Sequence, residues 1–306
     1  MPRYTFHTLD VFTDRIFGGN PLAVFPDGAG IETEVMQAVA REFNLSETVF
    51  VLPPEDPGHT RRLRIFTPGT ELPFAGHPTV GTAHLLAAIG EIPLAGEETR
   101  IVFEEGVGPV PVTIRASGGK PVSAQLTAAR PPEYGPAPPS NTEIAEVFSL
   151  QEADIADAPA PGFVSCGVPF LIVMLSSLDA LARVRLRRDA WERILAEAWG
   201  SQVYLLARPD DASSDLYRAR MFAPAMGLEE DPATGAAATA LAGYLARLSS
   251  ETDGTLRWSV DQGVEMGRPS RLEVEADLEA GAVTAIRVAG QSVIVSQGEM
   301  TIPAEV

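Results

Sequence analysis

One cysteine, Cys166, and one lysine, Lys120, are all that 306 residues contain of two reactive side chains. A lone thiol forms no internal disulfide and fits a reducing compartment. The lysine lies in Ser117-Gly118-Gly119-Lys120-Pro121, which reads as a turn. Schiff-base chemistry is thereby left without a suitable residue, and no G-x-x-x-x-G-K-[ST] phosphate loop occurs. Gly18-Gly19-Asn20 lacks the G-x-G-x-x-G spacing, which disfavours a dinucleotide enzyme. His7, His59, His77 and His84 form no H-x-H or H-x-x-x-H pair, so no metal site is predicted. No apolar run reaches membrane-spanning length, and Met1-Pro2-Arg3-Tyr4 opens without a signal-type stretch. The reading is a cytoplasmic protein with no membrane partner.

Positive charge is also scarce. Lys and Arg total 23 against 41 Asp and Glu, a net charge of −18, which argues against nucleic acid or an anionic membrane surface as partner. An anionic small molecule needs a local positive site against that field, such as a helix N-terminus. What the chain does have is apolar content, 45%, enough for the cores of two ordinary domains or one double-lobed unit.

The sequence repeats itself. Leu63-Arg64-Ile65-Phe66-Thr67-Pro68 recurs as Ala219-Arg220-Met221-Phe222-Ala223-Pro224, an offset of 156. His77-Pro78-Thr79-Val80-Gly81 recurs as Asp231-Pro232-Ala233-Thr234-Gly235, and Glu47-Thr48-Val49-Phe50 matches Ser201-Gln202-Val203-Tyr204, both at 154. Gly19-Asn20-Pro21 resembles Gly167-Val168-Pro169 at 148, and Gly106-Val107 matches Gly263-Val264 at 157. Five matches in one order, at half the chain length, indicate two copies of one fold rather than a solenoid.

Within the first copy, strands are predicted at 4–12, 21–25, 48–52 and 62–66, with a helix over 32–43. A helix then starts near Pro78 and runs to about Ile89; its counterpart starts near Pro232 and runs to about Leu248. Each carries proline at the expected first helical position and is apolar nearly all round, the pattern of a buried central helix. The boundary is placed in Arg130–Ser140, which has five prolines in eleven residues and reads as a stiff connector. This gives an N-terminal lobe of 1–130, with 290–306 a candidate to rejoin it, and a C-terminal lobe of 131–306. Final strands are expected at 292–295 and 300–302.

If the copies pack about a pseudo-twofold axis, the two helix starts line a common cleft and suit a substrate carboxylate. The copies differ there. His77 stands where the second copy has Asp231, and Glu47 aligns with Ser201. Asp231 also reads as a helix N-cap. Glu47 sits where a loop enters a strand, either as a surface acid or as a proton carrier whose pKa burial raises. Glu229 and Glu230 read as solvated charges.

Asp10-Val11-Phe12, Gly18-Gly19-Asn20-Pro21-Leu22-Ala23-Val24 and Asn44-Leu45-Ser46-Glu47-Thr48 resemble the N-terminal signature of PhzF-like phenazine-biosynthesis proteins. Ala75-Gly76-His77-Pro78-Thr79, Glu230-Asp231-Pro232-Ala233-Thr234-Gly235, Gln262-Gly263 and Gly267-Arg268-Pro269-Ser270 continue the resemblance along almost the whole chain. It implies an α+β, diaminopimelate-epimerase-like fold: two pseudo-symmetric lobes, each a mixed sheet rolled around a buried helix. It implies an isomerase without cofactor or metal, in which Glu47 moves a carbon-bound proton of a small carboxylate such as dihydro-3-hydroxyanthranilate. His77 and Asp231 complete the catalytic set, with Asn20, Gly76, Pro78, Thr79, Thr234, Gly235 and Ala236 at the substrate, and a homodimer is the implied assembly. Ala236 departs from the family's usual serine, which bears on the substrate more than on the proton chemistry. Two-cysteine racemase chemistry lacks its thiols; epimerisation of another small acid and non-catalytic metabolite binding remain the alternatives.

Overall fold

A computed structural model describes residues 1–209 and 215–305. The chain divides into two compact units, one of Met1–Thr127 with Ala289–Val306, the other of Ala128–Val288.

The first unit begins with strands β1 (Arg3–Val11) and β2 (Asn20–Phe25), helix α1 (Thr33–Phe43), and strands β3 (Glu47–Leu52), β4 (Arg61–Phe66) and β5 (Glu71–Leu72). Helix α2 (Gly76–Ala88) follows, then β6 (Glu98–Glu105), β7 (Gly108–Ser117) and β8 (Lys120–Thr127). The β7–β8 turn is Gly118-Gly119, both at positive φ, a conformation that glycine adopts without steric cost. The second unit contains β9 (Glu133–Tyr134), α3 (Asn141–Val147), β10 (Gly162–Ser165), β11 (Pro169–Met174), α4 (Leu178–Arg183), α5 (Arg188–Ile194), β12 (Gln202–Ala207) and β13 (Leu216–Ala223). It continues with β14 (Leu228–Asp231), α6 (Gly235–Leu248), β15 (Gly254–Gln262), β16 (Ser270–Glu279) and β17 (Ala282–Gly290). The last strand, β18 (Ser292–Thr301), returns to the first unit and pairs antiparallel with β1. It is one continuous strand where two short ones were expected.

The repeat survives in the topology. In the first unit β2 runs parallel to β3, β3 antiparallel to β4, β4 parallel to β6, and β6 antiparallel to β7. In the second, β11–β12, β12–β13, β13–β15 and β15–β16 follow the same sequence of directions. Helix α2 packs against β1, β2, β3, β7, β8 and β18, and α6 against β10, β11, β15 and β16. Each sheet therefore wraps an apolar helix; twelve of the thirteen α2 residues are buried. Gly81 permits that fit, since a Cβ there would come within 2.6 Å of Val11 Cγ2 and 2.7 Å of Leu22 Cδ2.

Three sequence expectations change. Helix α2 starts at Gly76, so Pro78 is its third residue; α6 starts at Gly235 behind Thr234, so Pro232 lies outside it. Proline is tolerated anywhere in the first turn, where its missing N–H has no helical partner, so it marks a helix start only to within a few residues. Asp231 ends β14 and is not the cap. The counterpart of Glu47 is Gln202, because pairing puts Thr48 opposite Phe66 and Val203 opposite Phe222. Matching hydrophobic strands by composition allows such a one-residue slip, although it turns every side chain to the other face.

An Arg–Glu clamp recurs just before both central helices. Arg64 of β4 pairs bidentately with Glu71 of β5 at 2.8 and 2.7 Å, over the Phe66 ring at 5.1 Å. Arg220 of β13 pairs the same way with Glu230 of β14 at 2.8 and 2.7 Å, over Phe222 at 5.2 Å. Glu229 is exposed, but Glu230 is a structural partner rather than a solvated charge.

Candidate functional site

In the first unit, the starts of β2, β3 and α2 converge. Glu47 is the first residue of β3 and pairs with Leu22 of the parallel β2. Asn20 opens β2 opposite Val11 and is fully buried. Two residues into α2, His77 places Nε2 at 3.1 Å from Glu47 Oε2, with both side chains buried.

That distance suits an ion pair, yet burial lowers the His77 pKa to about 3, opposed only by a hydrogen bond to the Pro21 backbone. We take the imidazole as neutral, because removing it from water costs more than one hydrogen bond to a carbonyl returns. A carbonyl can only accept, so the ring donates its N–H to Pro21 and presents a bare Nε2 lone pair to Glu47. Such a nitrogen accepts a proton and cannot supply one. Gly76, Pro78 and Thr79 form the rest of this helix start, all buried, and Thr79 Oγ1 lies 2.8 Å from Ala75 O.

The second unit builds its helix start differently. Asp231 is 6% exposed at the end of β14, and the Thr234 hydroxyl donates to its Oδ2. Gln262, with no exposed surface at the end of β15, ties the segment together. Its Nε2 donates to Asp231 O at 2.8 Å and to Thr234 Oγ1 at 3.0 Å. Its Oε1 accepts from Thr234 N–H at 3.2 Å and from the Tyr204 hydroxyl at 2.9 Å. Burial and the nearby Asp231 charge both raise the Tyr204 pKa, so its phenol stays protonated. Gly235 and Ala236 open α6 behind this knot. At Ala236 a methyl group stands half-buried where a hydroxyl was expected.

The structure thus brings Glu47 and His77 together in the first unit, and Asp231 and Thr234 in the second. Sequence reasoning named Gln262 only as part of a motif. Its burial and its four hydrogen bonds, which define its role, leave no trace in composition or spacing. Among the described residues no cluster of three or more His, Cys, Asp or Glu side chains could hold a metal ion, and no helix is long and apolar enough to cross a membrane.

Residues 9–298 match the family model described as phenazine biosynthesis-like protein, PhzC-PhzF. An uncharacterized isomerase of Mesorhizobium japonicum is 40% identical over 299 residues, covering 96% of this chain and 97% of that one. The trans-2,3-dihydro-3-hydroxyanthranilate isomerase of Pseudomonas aeruginosa is 36% identical over 299 residues, covering 97% and 99%. Among solved structures, a PhzF-family phenazine biosynthesis protein of Bacillus anthracis superposes with a TM-score of 0.88 at 26% identity, over 99% of this chain and all of that one.

Proposed function

The chain belongs to the phenazine biosynthesis-like (PhzC-PhzF) family, and from that premise we propose that it is an isomerase whose Glu47 relocates a carbon-bound proton. The substrate is a small carboxylate resembling trans-2,3-dihydro-3-hydroxyanthranilate, and the reaction proceeds without a cofactor. The observation that carries this reading is the buried Glu47–His77 contact of 3.1 Å at the start of the central helix. A named isomerase of that compound, 36% identical along nearly the whole chain, gives the reaction class.

Glu47 acts first as base and then as acid. Its carboxylate takes a proton from one substrate carbon, the C–H electron pair moves into the conjugated system, and the protonated carboxyl returns the proton to a second carbon on the same face. Neutral His77 steers this. Its Nε2 lies 3.1 Å from Oε2, so Oε1 is the oxygen left to take the proton from the substrate and return it. The backbone N–H groups of Gly76 and His77 lie in the first turn of a thirteen-residue helix and supply partial positive charge for a substrate carboxylate.

Wild type and Glu47→Gln incubated with trans-2,3-dihydro-3-hydroxyanthranilate in heavy water test the reading. Mass spectrometry should report isomerised product for wild type, carrying carbon-bound deuterium to the extent that the Glu47 carboxyl exchanges with solvent before the proton is returned, and no product for the variant, with circular dichroism unchanged. Turnover surviving in Glu47→Gln would remove Glu47 from the mechanism. Ligand binding without exchange in either protein would make this chain a metabolite-binding member of the family.

A further inference from the structure

Helix α2 has a second buried acid beside it, one that the proton-transfer chemistry does not use. Glu105 ends β6, is 8% exposed, and places Oε1 at 2.6 Å from Thr79 Oγ1. The same hydroxyl lies 2.8 Å from Ala75 O. A hydroxyl has one proton, and a carbonyl can only accept. With that proton directed at Ala75, the short contact to Glu105 requires a proton on the carboxyl.

The second unit contains the same device with an amide. Strand pairing sets Arg62 beside Glu104 and Arg218 beside Asp261, so with Arg62 aligned on Arg218, Glu105 falls on Gln262. Their offset, 157, is that of Gly106 and Gly263. Gln262 donates to Thr234 Oγ1, whose own proton goes to Asp231. Both turns that follow grip the segment entering the helix. A Cβ on Gly106 would come within 2.7 Å of Pro73 Cα, and one on Gly263 within 2.5 Å of Pro232 O. Glutamic acid and glutamine have the same shape, and only the neutral acid donates as the amide does.

The surroundings favour that neutral form. Burial raises the Glu105 pKa to about 8, and it outweighs the lowering that a Thr79 hydroxyl turned to donate to the ionised carboxylate would exert. Ionisable groups nearby line a cavity beside it, and they are paired among themselves: Arg64 with Glu71, Arg62 with Glu55, His59 with Glu104. Asp56 adds a further negative charge on the same cavity. On α2, burial also lowers the pKa values of His77 and His84, to about 3 and about 4, so neither supplies a cation. Glu105 Oε2 makes no hydrogen bond among the described residues.

We propose that Glu105 is a positioning residue that works as a neutral carboxylic acid, donating to Thr79 and thereby fixing the helix start that holds His77 against Glu47. The role rests on the proton-transfer reading of Glu47, but the protonation of Glu105 can be tested without substrate. Ionised Glu105 takes the hydroxyl proton away from Ala75 and loosens the first turn.

The experiment compares wild type, Glu105→Gln and Glu105→Leu. Infrared difference spectra between wild type and Glu105→Gln at neutral pH should contain a protonated-carboxyl C=O band that disappears above about pH 8. The wild-type melting point should fall relative to Glu105→Gln as pH rises from about 4.5 to about 8 and then run level, since the unfolded chain ionises first. Turnover of trans-2,3-dihydro-3-hydroxyanthranilate by wild type should drop about tenfold per unit above about pH 8. Glu105→Leu should lower kcat at least about tenfold, and Glu105→Gln should rescue it while removing the alkaline fall. An alkaline limb shared by wild type and Glu105→Gln overturns the proposal, as does a missing band or a pH-independent melting difference. Absence of turnover in wild type overturns the substrate reading instead, and the band and melting curves still decide Glu105.

Discussion

Replacing Gln262 by leucine isolates the energetic weight of one buried amide. The side chain has no exposed surface, and leucine has nearly its volume, so the loss is polar rather than a cavity. Four hydrogen bonds disappear, at 2.8, 3.0, 3.2 and 2.9 Å. Thr234 is half-buried and recovers part of its loss from water. The fully buried Tyr204 hydroxyl and the Asp231 carbonyl lose bonds that water does not readily replace, at about 1–3 kcal/mol each. Leucine returns about 1 kcal/mol of apolar burial, which leaves a net loss of about 1–5 kcal/mol. Guanidinium unfolding followed by tryptophan fluorescence reads this directly, since Trp191, Trp199 and Trp258 all lie in the second unit. Adding Tyr204→Phe to Gln262→Leu removes the orphaned donor and should restore about 1–2 kcal/mol, although Tyr204→Phe alone destabilises. A Gln262→Leu loss below about 1 kcal/mol, or a double variant no better than the single one, would falsify the account of the knot.

Other perturbations test the rest of the frame. Gly81→Ala should gain about 1 kcal/mol of helix propensity and lose about 1–3 kcal/mol by crowding Val11 and Leu22, a net destabilisation visible in thermal melts. Arg220→Ala should cost about 3–5 kcal/mol, because it also abandons the carbonyls of Leu181 and Val184 at 3.0 and 3.1 Å. Arg64→Ala, at the more exposed clamp, should cost less than half of that in the same denaturant assay. His77 and His84 have folded pKa values of about 3 and about 4, below the ordinary 6.5. Their contribution is therefore complete above about pH 6.5 and lost as pH falls towards 4, and His84→Gln should flatten the acid limb of a melting-point profile.

Much of this architecture is legible in the sequence because the duplication is. Two copies of R-x-F-x-P fix the β4 and β13 strands, and with them the order of parallel and antiparallel neighbours. Glu47 and His77 stand out in the sequence as candidates because they break the symmetry between copies. The strand match at Glu47 slipped by one residue, since Val, Phe, Tyr and Leu alternate alike in both strands and composition does not fix register. Proline misplaced both helix starts for a similar reason: it reports a permitted zone, not a position. Glu105 and Gln262 look unremarkable at strand ends, and only the fold shows that each is buried against a threonine hydroxyl.

The pairing of β18 with β1 has a consequence for the nascent chain. Arg3 finds its partner in Thr301, and Val11 in Ser292, so the sheet of the first unit stays open until β18 has left the ribosome. The second unit, contiguous from Ala128 to Val288, has all its residues available earlier. β1 is thus among the last strands to be completed, and until β18 emerges its edge away from β2 stays open and in need of protection.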